Sequence, residues 1–389
     1  MTRALRILHV LEPPNGGVAT HVRDLVRGQL RAGHVVDAVV CERGPLAGDL
    51  RALGAGVAAL DLRAELWAPR PDARAARRLA ALMRLRRWDI VHSHESKAGV
   101  LARPPARALG LAVVHSPHTY AYATQALRGR GEPRWRLTLE VERALGRISD
   151  AVVVPSRDLR DRAAADGAAP ADRLIVVPHG HDPPAATRPH PDLAGLPGDG
   201  PVVGFLSRMT PEKDPLTLVE ALGRIDGVPF RAALVGDGPL AGAVARRVAE
   251  LGLGGRVGVL PYAGIGAPAA LAGFDLYVLP SLRETFAIGL LEAMAAGLPA
   301  VATRVGAVPE LARDGRTALL VAPGDPAAMA AAIARLLGDG DLRRTMGEAG
   351  RERAGGYTVA AMVQGTERAY AAARERRRRR AARWASAAS

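Results

Sequence analysis

The chain has 389 residues, 48% hydrophobic and only 4% aromatic. That length suggests two domains, and that composition suggests cores of Leu, Val and Ala. The formal net charge is +14, yet only Lys97 and Lys213 among 53 basic residues are lysine; the excess reads as arginine-rich composition, and the run 374–380 lacks the interleaved aromatics of a nucleic-acid surface.

A single Cys41 excludes an intrachain disulfide and fits a reducing compartment. No apolar run reaches the roughly 18 residues that span a bilayer. A cytoplasmic protein is expected, with basic surface able to contact acidic lipid headgroups at the inner face of the membrane.

In chain order, residues 5–11 form an apolar run broken by Arg6 and His9, a buried strand rather than a secretory signal. Gly16 and Gly17 follow in a loop, then a helix with Val18, Val22, Leu25, Val26 and Leu30 on one face. A backbone free of side chains at a helix N-terminus admits an anion. His21 lies one turn further on, lining a site or packing.

Strands are expected at 35–40, 90–92, 112–115, 152–154 and 175–177. After 90–92 comes H-S-H-E-S-K-A-G, in which Ser96 caps a helix beginning at Lys97. His92 and His94 with Glu95 are dismissed as metal ligands, on the argument that neighbouring positions at a strand end point apart. P-H-T brings His118, while His115 reads as a packed strand residue.

Residues 120–136 mix Tyr120, Tyr122, Leu127 and Trp135 with Arg128, Arg130, Arg134 and Arg136. Such a loop suits an acceptor mouth or a membrane-facing surface. A Pro- and Gly-rich linker follows Asp182.

The alternation restarts with strands at 202–206, 232–235, 257–260, 276–279, 300–303 and 318–321. Two βα series argue two doubly wound parallel-sheet domains with ligands beyond the strand carboxyl ends, in a cleft between them. The loop after 202–206 reads S-R-M-T-P-E-K-D and carries Arg208 and Lys213 before a helix at about Pro215.

The stretch 280–310 is the most specific. Glu284 sits in a turn, a helix runs over about 285–296, and Glu292 lies two turns in. Amides near Phe286, Ala287 and Ile288 can hold an anion while a carboxylate grips a sugar diol. Three late helices follow, near 326–337, 342–353 and 359–378.

The E-x7-E segment resembles the signature of retaining nucleotide-sugar glycosyltransferases, in particular glycosyltransferase family 4 with the GT-B fold. The likeness extends to G-G-V-A-T-H, P-H-T, V-P-H-G-H-D and S-R-M-T-P-E-K-D, in the family's order over roughly residues 5–370.

The resemblance implies an α/β protein of two Rossmann-like domains. The acceptor domain would cover 1–183, joined by a returning helix at about 358–380; the donor domain 184–357; and a basic disordered tail 381–389. It implies transfer of a hexosyl unit from a nucleotide-diphosphate sugar to a hydroxyl of a glycan, a lipid-linked glycan or a small molecule.

Arg208 and Lys213 would hold the diphosphate, with Gly16, Gly17, Phe286, Ala287 and Ile288 lining the donor. Glu292 would hold the ribose, and Glu284 and His118 the sugar. A subgroup resemblance suggests Lys97, with Tyr120 nearby, for the acceptor. No cofactor and no catalytic metal are expected.

Ala287 departs from the family's usual Gly, and His179 from its more frequent Asn. The chain could therefore be a non-catalytic nucleotide-sugar binder, and an NAD(P)-dependent oxidoreductase would share the sheets. G-D-G-P-L-A-G at 236 is set aside because no acid ends the next strand. The pair Asp339 and Asp341 is set aside too, with Asp341 read as an N-cap.

Overall fold

The computed structural model describes residues 3–388 apart from 13–15, 42–43, 61, 63–67, 124–133 and 184–187. The chain divides into two compact units, Met1–Gly180 with Val359–Ser389, and His181–Thr358.

The first unit is built on a seven-stranded parallel sheet. Its strands are β1 (Arg6–Leu11), β2 (Val35–Val40), β3 (Gly56–Ala59), β4 (Ile90–His94), β5 (Ala112–Ser116), β6 (Ala151–Val154) and β7 (Leu174–Val176), in the order β3-β2-β1-β4-β5-β6-β7. β1, β4, β5 and β6 are almost wholly buried, as expected of strands covered by helices on both faces.

The sequence reading misses β3. Its four residues, Gly-Val-Ala-Ala, form a half-exposed edge strand with little apolar signal. β3 pairs with β2 where Gly56 opposes Asp37, and a side chain at 56 would strike the Asp37 carboxylate.

The helix Val359–Ala388 packs on β5, β6 and the helix Gly16–Arg31. Gly28 lets the helices meet, since a Cβ there would run into Val363. A disordered tail from 381 is not found: the helix continues to Ala388, consistent with the high helix propensity of its Ala and Arg residues.

The run 374–380 also engages the fold. Arg376 donates to the Asp150 carbonyl at 3.2 Å, Arg380 donates to the Leu111 carbonyl at 3.1 Å and pairs with the buried Asp150 carboxylate, and Arg374 lies 3.8 Å from Asp89. Arg380→Ala is expected to cost about 1–3 kcal/mol, because Asp150 then loses its closest cation. Urea unfolding of the variant, beside Arg379→Ala as an exposed control, measures this.

The second unit carries a six-stranded parallel sheet. Its strands are β8 (Val202–Leu206), β9 (Arg231–Val235), β10 (Val257–Leu260), β11 (Leu276–Leu279), β12 (Ala300–Thr303) and β13 (Leu319–Val321), in the order β10-β9-β8-β11-β12-β13. In both sheets the order reverses beside the first strand of its unit, the crevice position where open α/β sheets bind ligands.

The expected linker is partly structured. Residues Pro191–Ala194 form one helical turn, and Leu193 and Leu196 enter the core of this unit. Asp339, rather than Asp341, caps the helix Gly340–Ala354 by accepting from the Leu342 amide at 2.8 Å.

Candidate active site

In the second unit the loops after β8 and β11 converge. The Leu282 amide donates to the Glu212 carbonyl at 2.9 Å, tying them together. A single 3₁₀ turn, Pro211–Lys213, presents Lys213, whose ammonium lies 2.6 Å from Glu284 Oε1. Ser281 Oγ donates to the same oxygen at 2.8 Å.

Asp214, at φ +44°, ends that turn and caps the next helix, Pro215–Leu222, by accepting from the Thr217 amide and hydroxyl. Arg208 stands exposed, its guanidinium 3.7 Å from Glu212. Lys213 and Glu284, given separate roles by the sequence, are therefore partners here. A phosphate approaching the ammonium must share it with the carboxylate.

The helix Ile288–Ala296 begins directly after this pair. Ala287 is its N-cap at φ +61°, a left-handed conformation, and Leu290 and Leu291 donate the first bonds back to the Ala287 carbonyl. The amides of Ile288 and Gly289 head the helix, where backbone donors and the dipole favour an anion. Phe286 is buried with its ring 6.0 Å from Tyr357, so its side chain packs while its backbone borders the turn.

Tyr277 is fully buried beneath, its hydroxyl donating to the Leu206 carbonyl at 3.3 Å. Burial first, then the charges of Glu284 and Glu292, push its ionisation well above the ordinary tyrosine range. Both carboxylates thus act on one phenol. Gly306, to which the sequence reading gave no role, abuts Glu284: a Cβ there would collide with the Glu284 carbonyl.

In the first unit, Gly16 and Gly17 open the helix Gly16–Arg31, both exposed, with Gly16 at φ +81°. Further along that helix the sequence reading missed the main feature of the unit. Six of the ten histidines, His9, His21, His92, His94, His118 and His179, gather in one buried cluster.

The dismissal of His92 and His94 rested on wrong geometry. Positions 92 and 94 are two apart on β4, so their side chains leave the same face, and their ring centroids lie 4.1 Å apart. The register places His9 opposite His92 across β1 and β4.

His9 Nδ1 and His94 Nε2 are 2.9 Å apart, and His94 Nδ1 and His118 Nε2 3.1 Å. His179 Nδ1 approaches His21 Nδ1 at 2.5 Å. A small cavity, with room for about one water-sized occupant, is lined by His21, His92, His118, His179, Ser116 and Thr366.

Burial holds all six rings neutral. It lowers His9 to about 4 and His179 to about 3. His21, His92, His94 and His118 fall well below the ordinary value, through burial and then neighbouring histidines.

Two trios, His9 with His92 and His94, and His21 with His94 and His118, bring ligand atoms within 4.8 Å, close enough for a cation. Both ring nitrogens of His9, His92 and His94 already have hydrogen-bond partners. His118 also has φ +51°, a conformation costly for a non-glycine residue and typical of functional sites.

Both residues expected at the acceptor are buried. Lys97 is 3% exposed and pairs with Asp72 at 2.6 Å. Its helix starts at Ser96, with Glu95 as N-cap at φ +68°, and Ser96 Oγ instead accepts from the Ala121 amide at 3.4 Å.

Tyr120 is 2% exposed, its ring centroid 5.2 Å from that of Tyr122, which donates to Asp166. Both tyrosines are core residues, because an apolar patch between β6 and the helix Arg157–Ala165 takes them in. Leu127, Arg128 and Arg130 lie outside the described residues, and residues from Arg134 belong to the helix Arg134–Ile148.

Residues 200–339 match the family model described as Glycosyl transferases group 1, and residues 15–184 the one described as Glycosyltransferase Family 4. The D-inositol 3-phosphate glycosyltransferase of Nocardia farcinica is 32% identical over 308 residues, covering 74% of this chain and 67% of that protein. The enzyme of the same name from Salinispora arenicola is 30% identical over 377 residues, covering 90% and 77%.

Among solved structures, Anabaena HepE in complex with UDP and glucose matches with a TM-score of 0.79 at 20% identity, over 94% of this chain and 98% of that one. Sucrose-phosphate synthase from Thermosynechococcus elongatus matches with a TM-score of 0.77 at 23% identity, over 94% and 98%. Two parallel-sheet units of this kind are the GT-B fold. The chain belongs to glycosyltransferase family 4.

Proposed function

We propose that the protein transfers a hexosyl unit, with retention, from a nucleotide-diphosphate sugar to a hydroxyl of a polyol, sugar phosphate or glycan, without a catalytic metal. The observation that carries this is the meeting of Lys213 and Glu284 beside the head of the helix Ile288–Ala296, with Arg208 on the same loop. A leaving diphosphate gains charge as the glycosidic bond breaks. One fixed cation at about 4 Å contributes roughly 4 kcal/mol at an effective dielectric near 20. Arginine adds a planar fork to phosphate oxygens and lysine a compact charge.

In this reading Glu284 turns from Lys213 to the donor sugar's hydroxyls as phosphate takes the ammonium. Glu292 holds the ribose, and His118 the sugar from the first unit. The leaving phosphate oxygen itself accepts the acceptor's proton on the same face. The relatives' names point to a phosphorylated cyclitol as the first acceptor to try; Lys97, paired with Asp72, is the cation to test against its phosphate. Contact of the arginine-rich surface with acidic lipid remains part of this proposal, though several arginines of the run 374–380 already serve the fold.

A panel of UDP-, GDP- and ADP-sugars against inositol phosphates, read by mass spectrometry, tests the assignment. NAD(P) in the same thermal-shift panel tests the oxidoreductase alternative. Activity should survive added chelator; its abolition would refute the metal-free step.

Ala287 favours one rival, a binder without turnover, because its methyl occupies a left-handed position beside the anion site. Ala287→Gly removes about 1–2 kcal/mol of strain but loses a buried methyl and gains unfolded-state entropy. Stability should therefore change by less than about 1 kcal/mol, while the donor KM falls. Turnover that appears only in the glycine variant would establish the binding reading for the natural chain.

A further inference from the structure

The imidazole cluster of the first unit is ordered as a chain, and its proton positions follow from one anchor. Gln29 is fully buried, and its Oε1 lies 2.8 Å from His9 Nε2. A carbonyl oxygen only accepts, so His9 Nε2 carries the proton. A neutral imidazole has one proton, so His9 Nδ1 is an acceptor, and the proton on the 2.9 Å link belongs to His94 Nε2. By the same step His94 Nδ1 accepts, and the proton on the 3.1 Å link belongs to His118 Nε2. His118 Nδ1 is left with an acceptor lone pair.

The amide is held in turn. Gln29 Nε2 donates to the Tyr370 hydroxyl at 3.0 Å, Tyr370 donates to His92 Nδ1 at 2.9 Å, and His92 Nε2 donates to Ser116 Oγ at 2.8 Å. Turning the amide over would reverse every proton in both branches, so one buried side chain sets the order of the set. Among the described residues no carboxylate contacts His9, His94 or His118. Burial keeps them neutral.

We infer that Gln29, His9 and His94 are positioning residues that fix His118 as its Nε2–H tautomer, presenting Nδ1 as a hydrogen-bond acceptor for a sugar hydroxyl. This rests on the reading of His118 as a donor-sugar contact. It makes a specific demand on the substrate, since the group facing Nδ1 must be a donor, as a hydroxyl is and an ether or a methyl is not. Chains of this kind also strengthen one another by polarisation.

Long-range ¹H–¹⁵N spectra of the full-length protein, assigned with His94→Asn and His118→Asn, report the tautomer directly. Wild type should show Nε2–H at His9, His94 and His118. Gln29→Leu should give a mixture at His118 and lower kcat roughly tenfold, one hydrogen bond's worth, with the donor KM little changed.

Nδ1–H at His118 in the wild type would overturn the inference. So would stoichiometric zinc or nickel in the purified protein, because the lone pairs would then be ligated. The wild-type spectrum decides the question even if Gln29→Leu does not fold. Full turnover in His118→Ala would instead sink the role given to His118, leaving the tautomer result standing.

Discussion

Lys213→Ala should lower kcat/KM by roughly 10²–10³, the usual cost of removing one donor aimed at developing charge. The structure adds a second effect. Glu284 loses the ammonium 2.6 Å away while its side chain stays 7% exposed, with Ser281 Oγ still donating to it. A carboxylate so placed destabilises the fold, by about 1–3 kcal/mol given that Lys213 is itself partly solvated.

The double variant Lys213→Ala/Glu284→Gln separates the two effects. Neutralising the acid should restore most of the lost stability in urea unfolding, while turnover stays low because the ammonium is gone and Arg208 alone is left to face the diphosphate. A loss of turnover below threefold in the single variant would remove Lys213 from the chemistry.

The second large effect concerns acid. Groups whose folded values lie below their unfolded value of about 6.5 bind more protons when unfolded, so stability is complete above that pH and falls as pH drops through the window beneath it. For His9 the window runs from about 6.5 to about 4 and corresponds to about 3 kcal/mol. His179 continues to about 3, and His21, His92, His94 and His118 share the direction. The sign is the same for all six, and each adds up to about 1.4 kcal/mol per pH unit inside its window.

The first unit should therefore begin to weaken near pH 6. The second unit depends on carboxylates such as Asp314, held low chiefly by the Leu320 amide, and Glu220, held low by Arg247. Their stabilisation is present above the ordinary carboxylate range and lost only beneath it. Chemical denaturation at several pH values should show the histidine-rich unit failing first, and His179→Asn should make its acid limb shallower. A midpoint for that unit flat from pH 7 to 5 would exclude the effect.

The second unit was far more legible in the sequence than the first. β8, β10, β11 and β12 match their expected bounds, because continuous apolar runs ended by Pro280, Gly297 and Pro299 leave little choice of register. The site's loops follow from those strands, so the placing of Arg208, Lys213 and Glu284 after β8 and β11 was legible, while the roles given to them come from the family resemblance. What the sequence hid is that Lys213 and Glu284 touch, since residues 71 apart meet only through the pairing of β8 with β11.

In the first unit the histidines are scattered from 9 to 179, and no local pattern unites them. The signal was available at one point only. Alternation on a strand puts 92 and 94 on a common face, and with His9 on a neighbouring strand that would have suggested a cluster. The burial of Lys97 and Tyr120 was hidden for the opposite reason. Each is a residue type common at sites, and only the fold shows Asp72 and Tyr122 beside them.

The return of the last helix to the first sheet bears on how the molecule is made. Tyr370, which orients Gln29, and Arg380, which seals Asp150, are translated after every residue of the second unit. On the ribosome the amino-terminal lobe thus waits, incomplete, while the contiguous lobe behind it already has its whole core. The usual order, in which the leading domain folds first, is inverted by topology, and the histidine cluster is among the last parts to acquire its final wiring.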